Sequence, residues 1–475
     1  MTRLSLAVLT QAEIETVHEL TMKLLASEGL TFNSAPALDL FKKSGFKTDE
    51  AKVFVDSRQL ENALASAPAE TTIHSRNPER KATVGANHPP VFLSASGAPM
   101  IITEDGAQRP VVFDDYLDML RLTQTSPVLG MANSGALYPT YHDPELALRL
   151  QVNHALTMTD LPLVGQTEGE ALSRFCVDMA QAASGLTDAP VLVGICNSLS
   201  PMAWDARMLE GIKVFAERGQ VLNISCCAMC GATAPVFLLG AVVEANCEVL
   251  GGLIYSQLVR PGTPVIYGTT SSVMDMSSMG LALGAPEYGL ISGACGQMAK
   301  RYGLPYRSGG GLTDAKVLDA QAGLESAWNI LTSLMGGVNF MLQSVGILES
   351  FMAVAFDKWV FDEEIIGRAK RLLAGIGPFP SDLPQIFHEG LENGGYLKLK
   401  STLKNFRKEF HRPTLGDRRN FEAYRQRGRT VRDDAWSLVK NRLAEYVKPK
   451  MEASCRKAMD DVFAKTVGEA PPELN

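Results

Sequence analysis

Histidine and cysteine are scarce in this chain, seven and eight among 475 residues. That scarcity weighs against a metal centre, because a zinc site needs three or four such ligands in suitable geometry. Cysteines this thinly spread, with no secretory core after Met1-Thr2-Arg3-Leu4, predict reduced thiols and a cytoplasmic protein. No charge of one sign dominates: the net charge of −7 favours neither nucleic acid nor an anionic membrane as partner. The longest apolar stretch, residues 236–259, carries Glu244, Asn246 and Glu248 and does not read as a membrane span. No helix opens on a Gly-x-Gly-x-x-Gly or Walker signature, and Gly-x-Ser-x-Gly is missing, which weakens nucleotide-binding and serine-hydrolase readings. What is present is an ordinary globular mixture, 46% hydrophobic and 20% charged, so wholesale disorder is excluded.

The N-terminal residues 1–90 read as an α/β extension. Thr10 and Glu13 form a capping box, and Ile14, Val17, Leu20 and Leu24 follow at helical spacing. Short strands are expected at Val53–Val55, Thr71–His74 and Ala82–Val84. From 91 to 380 the texture changes to strand-length apolar runs, each followed by a helix. Strands are expected at 128–133, 161–166, 190–196, 220–226, 264–269, 304–308 and 338–343, with an eighth sought between Phe92 and Val112. This alternation predicts an α/β fold of the TIM type, a (β/α)8 barrel, with the active site on it. Residues 381–475 read as a basic helical region. Between Lys398 and Arg442 lie 14 Lys/Arg against 5 Asp/Glu.

In such a barrel the chemistry sits at the C-terminal ends of the strands. Polar residues fall there: Asn133, Gln166, Asn197, Ser225, Tyr267, Arg307, Ser308 and Gln343. Each could equally cap a helix or a turn. Cys226, Cys227 and Cys230 form a Cys-Cys-x-x-Cys cluster, a weak metal signal with no histidine nearby. Arg307-Ser308-Gly309-Gly310-Gly311 leaves a strand through three glycines, which allow close backbone approach to a ligand or simply a flexible loop.

The segment that follows, Leu312-Thr313-Asp314-Ala315-Lys316-x-x-Asp319-Ala320-Gln321-Ala322-Gly323-x-Glu325, resembles the trimethylamine methyltransferase superfamily. So do Gln257-Leu258-Val259-x-Pro261-Gly262-Thr263-Pro264-Val265-x-Tyr267-Gly268, Arg76-Asn77-Pro78-Glu79, Gly346-x-Leu348-Glu349-Ser350, and Leu403-Lys404-x-Phe406-Arg407 with Asp417-Arg418. The resemblance runs from about residue 20 to 445. It implies a TIM-type barrel with N- and C-terminal additions. The implied activity is methyl transfer from a methylated amine to the cobalt of a cognate corrinoid protein. Trimethylamine-specific members carry pyrrolysine, whereas this chain shows only the twenty standard residues. The resemblance therefore implies a quaternary-amine demethylase of the glycine betaine type, with no tightly bound cofactor, no metal and a corrinoid (cobalamin) supplied by a partner.

The chemistry suits that narrowing. A quaternary ammonium leaves as a neutral tertiary amine, so attack by Co(I) on the methyl carbon needs no acid, base or covalent residue, only orientation and exclusion of water. A betaine then requires an aromatic wall for its cation and a donor for its carboxylate. The expected wall is Phe92, Phe351 and Tyr267, with Phe356 and Tyr138 in reserve. These aromatics would otherwise be core. The expected carboxylate donor is Arg307, which would otherwise pair with Asp314 or Glu287. Gln166 and Gln343 complete the expected contacts, Gln343 standing where the resemblance places a His in betaine-type relatives. Ser308 and Gly309 stand near the pyrrolysine-equivalent position. The basic C-terminal stretch would steer docking of an acidic corrinoid protein, or serve as a solvated face or subunit contact. A homo-oligomer is expected from the apolar surface of a decorated barrel. Two rival readings are a zinc-dependent methyltransferase using the Cys226/Cys227/Cys230 cluster and a non-catalytic betaine-binding sensor.

Overall fold

The computed structural model describes residues 4–378, 380–469 and 471. Residues 1–3, which open the expected leaderless N-terminus, lie outside the described residues. Eight parallel strands form one sheet: β1 Val91–Phe92, β2 Ala132–Asn133, β3 Leu163–Gly165, β4 Leu192–Asn197, β5 Val221–Cys226, β6 Val265–Thr269, β7 Tyr306–Gly309 and β8 Phe340–Leu342. Each pairs with its neighbours in chain order, and β8 returns to β1. The sheet closes through a parallel bridge between Leu93 and Met131, supported by Gly130 N–H donating to Phe92 O at 2.9 Å. One helix follows each strand: α1 Phe113–Gln124, α2 Pro144–Met158, α3 Glu170–Ser184, α4 Ala206–Glu217, α5 Leu238–Val259, α6 Pro286–Arg301, α7 Ala320–Met335 and α8 Phe356–Leu373. The expected eighth strand is therefore the first, and it occupies only the start of the window searched. The remainder of that window, Met100–Ile102 and Gln108–Pro110, forms a hairpin in a four-stranded side sheet with Ile347–Leu348 and Ala353–Ala355.

Period-two alternation divides the strands between two cores. Val91, Leu93, Met131, Val193, Val221, Ile266, Phe340 and Leu342 fill the lumen. The intervening residues, such as Leu192, Leu222 and Met341, join the larger core between strands and helices. The N-terminal hairpin Glu70–Ile73/Ala82–Gly85 places Ile73, Ala82 and Val84 against the lumenal cluster, plugging the barrel at the N-terminal ends of its strands. The Arg76-Asn77 motif locks this plug. The Arg76 guanidinium donates to the carbonyls of Leu156, Thr159, Pro449 and Lys450, and Asn77 donates to Asp160 at 2.8 Å.

Helix α5 is long and apolar enough to cross a membrane, yet 83% of its apolar window is buried inside the fold. The capped helix Gln11–Ser27 and the helices Ala35–Lys43 and Ser57–Ser66 cover its outer side. The N-terminal part is also stitched to the barrel by parallel pairing of Thr31–Phe32 with Ala203–Trp204. At the other end of the chain, much of the basic surplus is neutralised locally. Arg419 pairs with Asp417, Arg427 and Arg429 with Asp434, Arg432 with Asp357, and Lys440 with Glu104.

The helix Val431–Glu445 docks on α8 through a buried pair, Arg442 to Glu363 at 2.6 Å. Arg442→Ala should lower unfolding stability by about 3 kcal/mol, because Glu363 would stay buried without its cation. Arg442→Leu combined with Glu363→Leu should recover most of that loss, as urea unfolding of both variants would reveal.

Candidate active site

The mouth of the barrel collects inward-facing polar residues from several strand ends. Asn133 on β2, Asn223 and Ser225 on β5 and Arg307 on β7 are all buried, as is Gln343 just past β8. Space for them depends on Gly268 of β6, where a Cβ would lie 2.5 Å from the Asn223 amide oxygen and 2.8 Å from Ser225 Oγ.

Arg307 dominates this cluster. It is 3% exposed. Its Nη1 donates to Ser225 Oγ at 3.0 Å and its Nη2 to Gln343 Oε1 at 3.2 Å. Its Nε has no partner. Asp314, one of the two carboxylates expected to neutralise it, instead accepts the N–H groups of Leu283 and Gly284 at 2.9 Å each. Among the described residues Arg307 has no ion pair. Burial pushes its pKa down, but a guanidinium starts so high that it keeps its charge. A buried cation with neutral partners only is costly unless an anion arrives.

The other expected residues divide by direction. Gln343 reaches Arg307 from a left-handed backbone, φ 53°, set by its N–H donating to Ser94 O at 3.1 Å. Gln166 is buried with its Nε2 unpartnered and its Oε1 3.2 Å from where a Cβ on Gly135 would lie. Phe351 is half-buried in the loop after β8, the third of three consecutive left-handed residues. Phe92, Tyr267 and Ser308 face the helices, not the lumen. Phe92 lies in the outer core under the Lys370 ammonium, 4.5 Å from its ring. Tyr267 donates to Asn246 of α5 at 3.1 Å. Ser308 bonds Tyr288 and Ser292 of α6 at 2.7 and 2.8 Å. One residue of alternation separates each from the mouth. At Gly309 a Cβ would meet Leu312 at 2.4 Å. Phe356 is buried at the start of α8, and Tyr138 is exposed and bonded to Glu168.

The glycine segment is held rather than loose. The fully buried Lys358 of α8 donates to Gly311 O and Ser326 Oγ at 2.9 Å and to Asp362 at 2.6 Å. Beyond it, the Thr313 hydroxyl and the Asp314 N–H donate to Glu325, and Asp319 caps α7. Glu349 and Ser350 N–H donate to the carbonyls of Ala315 and Thr313.

The three clustered cysteines go separate ways. Cys226 faces Ser200 and Ser271, whereas the Cys227 thiol donates to Thr270 O. No group of three or more His, Cys, Asp or Glu converges among the described residues, so the cluster does not assemble a zinc ligand set. Cys227 is the one exposed to solvent.

Sequence reasoning missed two carboxylates. Glu248 of α5 is fully buried and accepts from Ser198 Oγ, Ser200 Oγ (2.9 Å) and Met202 N–H (2.7 Å). Glu244, one turn earlier, is buried with its Oε1 unpartnered. Their four-residue spacing was the available signal, since it puts both on one helix face.

The family description "Trimethylamine methyltransferase (MTTB)" matches residues 2–471. The chain belongs to this family. It is 35% identical to the glycine betaine methyltransferase of Desulfitobacterium hafniense (strain Y51) over 471 residues, covering 97% of this chain and 98% of the relative. It is 31% identical to the proline betaine:corrinoid methyltransferase of Eubacterium limosum over 457 residues, covering 92% and 93%. The Methanosarcina barkeri monomethylamine methyltransferase shares its fold, with a TM-score of 0.53 at 11% identity over 95% of this chain and 97% of that one. As a methyltransferase of this family, the chain uses a barrel mouth built from neutral polar groups around one bare guanidinium.

Burial, and then the neighbouring Glu248, lift the Glu244 carboxyl from 4.5 to about 8. The folded state therefore binds a proton that the unfolded chain releases at lower pH. Relative to Glu244→Gln, the wild type has its full stability below the unfolded value of 4.5 and loses it as pH rises to about 8. Urea midpoints between about pH 5 and pH 9 should show the gap between the two proteins opening with pH and levelling above 8.

Proposed function

We propose that the protein transfers a methyl group from a quaternary amine, a betaine such as glycine betaine, to the Co(I) of a cognate corrinoid protein. The observation that carries this reading is Arg307, a buried guanidinium whose only partners among the described residues are the neutral side chains of Ser225 and Gln343. A substrate carboxylate supplies the missing anion, and the free Nε–H is the donor left for it. Ser225 and Gln343 fix the plane of the guanidinium, so the carboxylate is received in one orientation and the ammonium is directed away from it. The names of two relatives, glycine betaine and proline betaine:corrinoid methyltransferases, support the same substrate class and partner.

The partner's cobalt supplies the nucleophile, and the amine departs neutral. This chain's task is to bind, orient and exclude water. A chain written in the twenty standard residues fits a non-pyrrolysine member. The eight free thiols suit a cytoplasmic setting, and the exposed Phe387, Leu391, Leu403 and Phe410 suit a homo-oligomer.

Methylation of added cob(I)alamin should proceed with one betaine of a panel and release the corresponding tertiary amine. Arg307→Ala should lower kcat/KM for that betaine by roughly 30-fold or more. Arg307→Lys should restore little, because a point charge does not reproduce the guanidinium's fixed donors. Choline, which has no carboxylate, should be indifferent to both changes. Undiminished betaine turnover in Arg307→Ala would sink the assignment. Betaine binding without methyl transfer, with the corrinoid partner present, would favour a sensor.

A further inference from the structure

The amides at the barrel mouth are unequally engaged. Asn133 donates to Ala95 O at 2.9 Å and accepts the Gly135 N–H at 3.0 Å. Gln343 Oε1 accepts from Arg307. Gln166 keeps its Nε2 free. Asn223 keeps both ends free: among the described residues neither its Oδ1 nor its Nδ2 has a partner. It is nonetheless fully buried. A primary amide taken out of water without any hydrogen bond is costly, so it is either bonded in the working state or a net loss to the fold.

The place of Asn223 in the barrel explains why no neighbour satisfies it. Along β5, Val221, Asn223 and Ser225 share the inward face. Val221 belongs to the apolar lumenal cluster, whereas Ser225 holds the guanidinium. Asn223 stands between them, at the floor of the polar mouth. Its register partners on the flanking strands, Ile195 of β4 and Ile266 of β6, are apolar. Gly268 follows on the same face of β6. With no side chain there, Asn223 Oδ1 and Ser225 Oγ both lie over it, 2.5 and 2.8 Å from where a Cβ would stand. Arg307 is the register partner of Gly268 on the other side. The free amide and the bare guanidinium therefore border one glycine. The orientation of an amide is set by the bonds it makes, and with none made a half-turn of the side chain presents its N–H groups.

A carboxylate brings two oxygens to be satisfied. The Nε of Arg307 is its only nitrogen without a partner among the described residues. One donor would leave the second oxygen buried and unpaired. Asn223 carries unspent N–H groups on the same strand face as Ser225, the residue that steadies Arg307. We propose that the Asn223 amide donates to the second oxygen of the substrate carboxylate, making with the Arg307 Nε–H a two-point seat at the floor of the mouth. This rests on the betaine reading above and adds a direction. The substrate enters carboxylate first, and its methyl groups stay uppermost, toward the rim.

Calorimetry of glycine betaine binding to the full-length protein, with urea unfolding alongside, tests the seat. Asn223→Leu keeps the branched outline among two isoleucines and removes the donors. Glycine betaine should bind at least about tenfold more weakly, the loss of one hydrogen bond to a charged group. The urea midpoint should hold or rise, because an unpaired buried amide has gone. Asn223→Asp decides the matter even if leucine overpacks the lumen and the variant does not fold. It exchanges the N–H donors for a charge that repels a carboxylate and accepts from an amide. The ligands compared are glycine betaine and its carboxamide, which has an N–H donor in place of the anionic oxygen. The ratio of their affinities should move toward the carboxamide by about 100-fold in Asn223→Asp, a reversal that a merely structural residue would not produce. Unchanged betaine affinity in folded Asn223→Leu, an unmoved ratio in Asn223→Asp, or loss of both ligands by folded Asn223→Asp overturns the proposal and leaves the Arg307 assignment standing. If the wild type binds no betaine of a panel, the betaine reading falls and this inference falls with it.

Discussion

A guanidinium buried without a carboxylate is the constraint around which this barrel is arranged. Removing a charge from water costs several kcal/mol, and hydrogen bonds to neutral groups offset only part of it. The fold meets that cost in specific ways. Alternation along β7 turns Arg307 inward and ties its neighbours Tyr306 and Ser308 to α6. The missing side chain at Gly268 leaves room for the polar face of β5. The strained backbone at Gln343 aims its amide at the guanidinium. A site that is electrostatically incomplete when empty gains most from a ligand carrying the absent charge.

The segments that carry the family resemblance serve the architecture of this fold. Arg76-Asn77 fastens the barrel plug to the last part of the chain. Thr313, Asp314 and Asp319 spend their side chains on α7, on the β-hairpin before α6 and on the strap around Glu349 and Ser350. These residues satisfy backbone groups that a buried loop would otherwise leave unpaired. The family resemblance thus identified an architecture. The groups proposed to face the substrate stand instead at the strand ends.

Strand order was readable because apolar runs of strand length alternate with helical periodicity, and each barrel strand is followed by one helix as that alternation predicts. The first strand was hard to place because it is two residues long and follows a Pro-Pro pair. Which face a strand residue shows was not readable at Phe92, Tyr267 and Ser308, since both faces of a parallel barrel strand are buried and hydropathy does not distinguish lumen from helix layer. Arg307 was readable because a strand buried on both faces rarely carries a charge unless something there must be bound or paired. Glu244 and Glu248 stood out in sequence only as marks against a membrane span, because their burial depends on how α5 packs behind β5.

The plugged lower end of the barrel bears on the order of events. With Ile73, Ala82 and Val84 closing one side and Lys358 clamping the glycine segment at the other, the lumen is a blind well with a single rim. Donor and acceptor must therefore use one doorway. For the reaction proposed above, this sets an order: the small amine is seated before the corrinoid protein covers the rim, and the spent amine leaves after that protein has withdrawn.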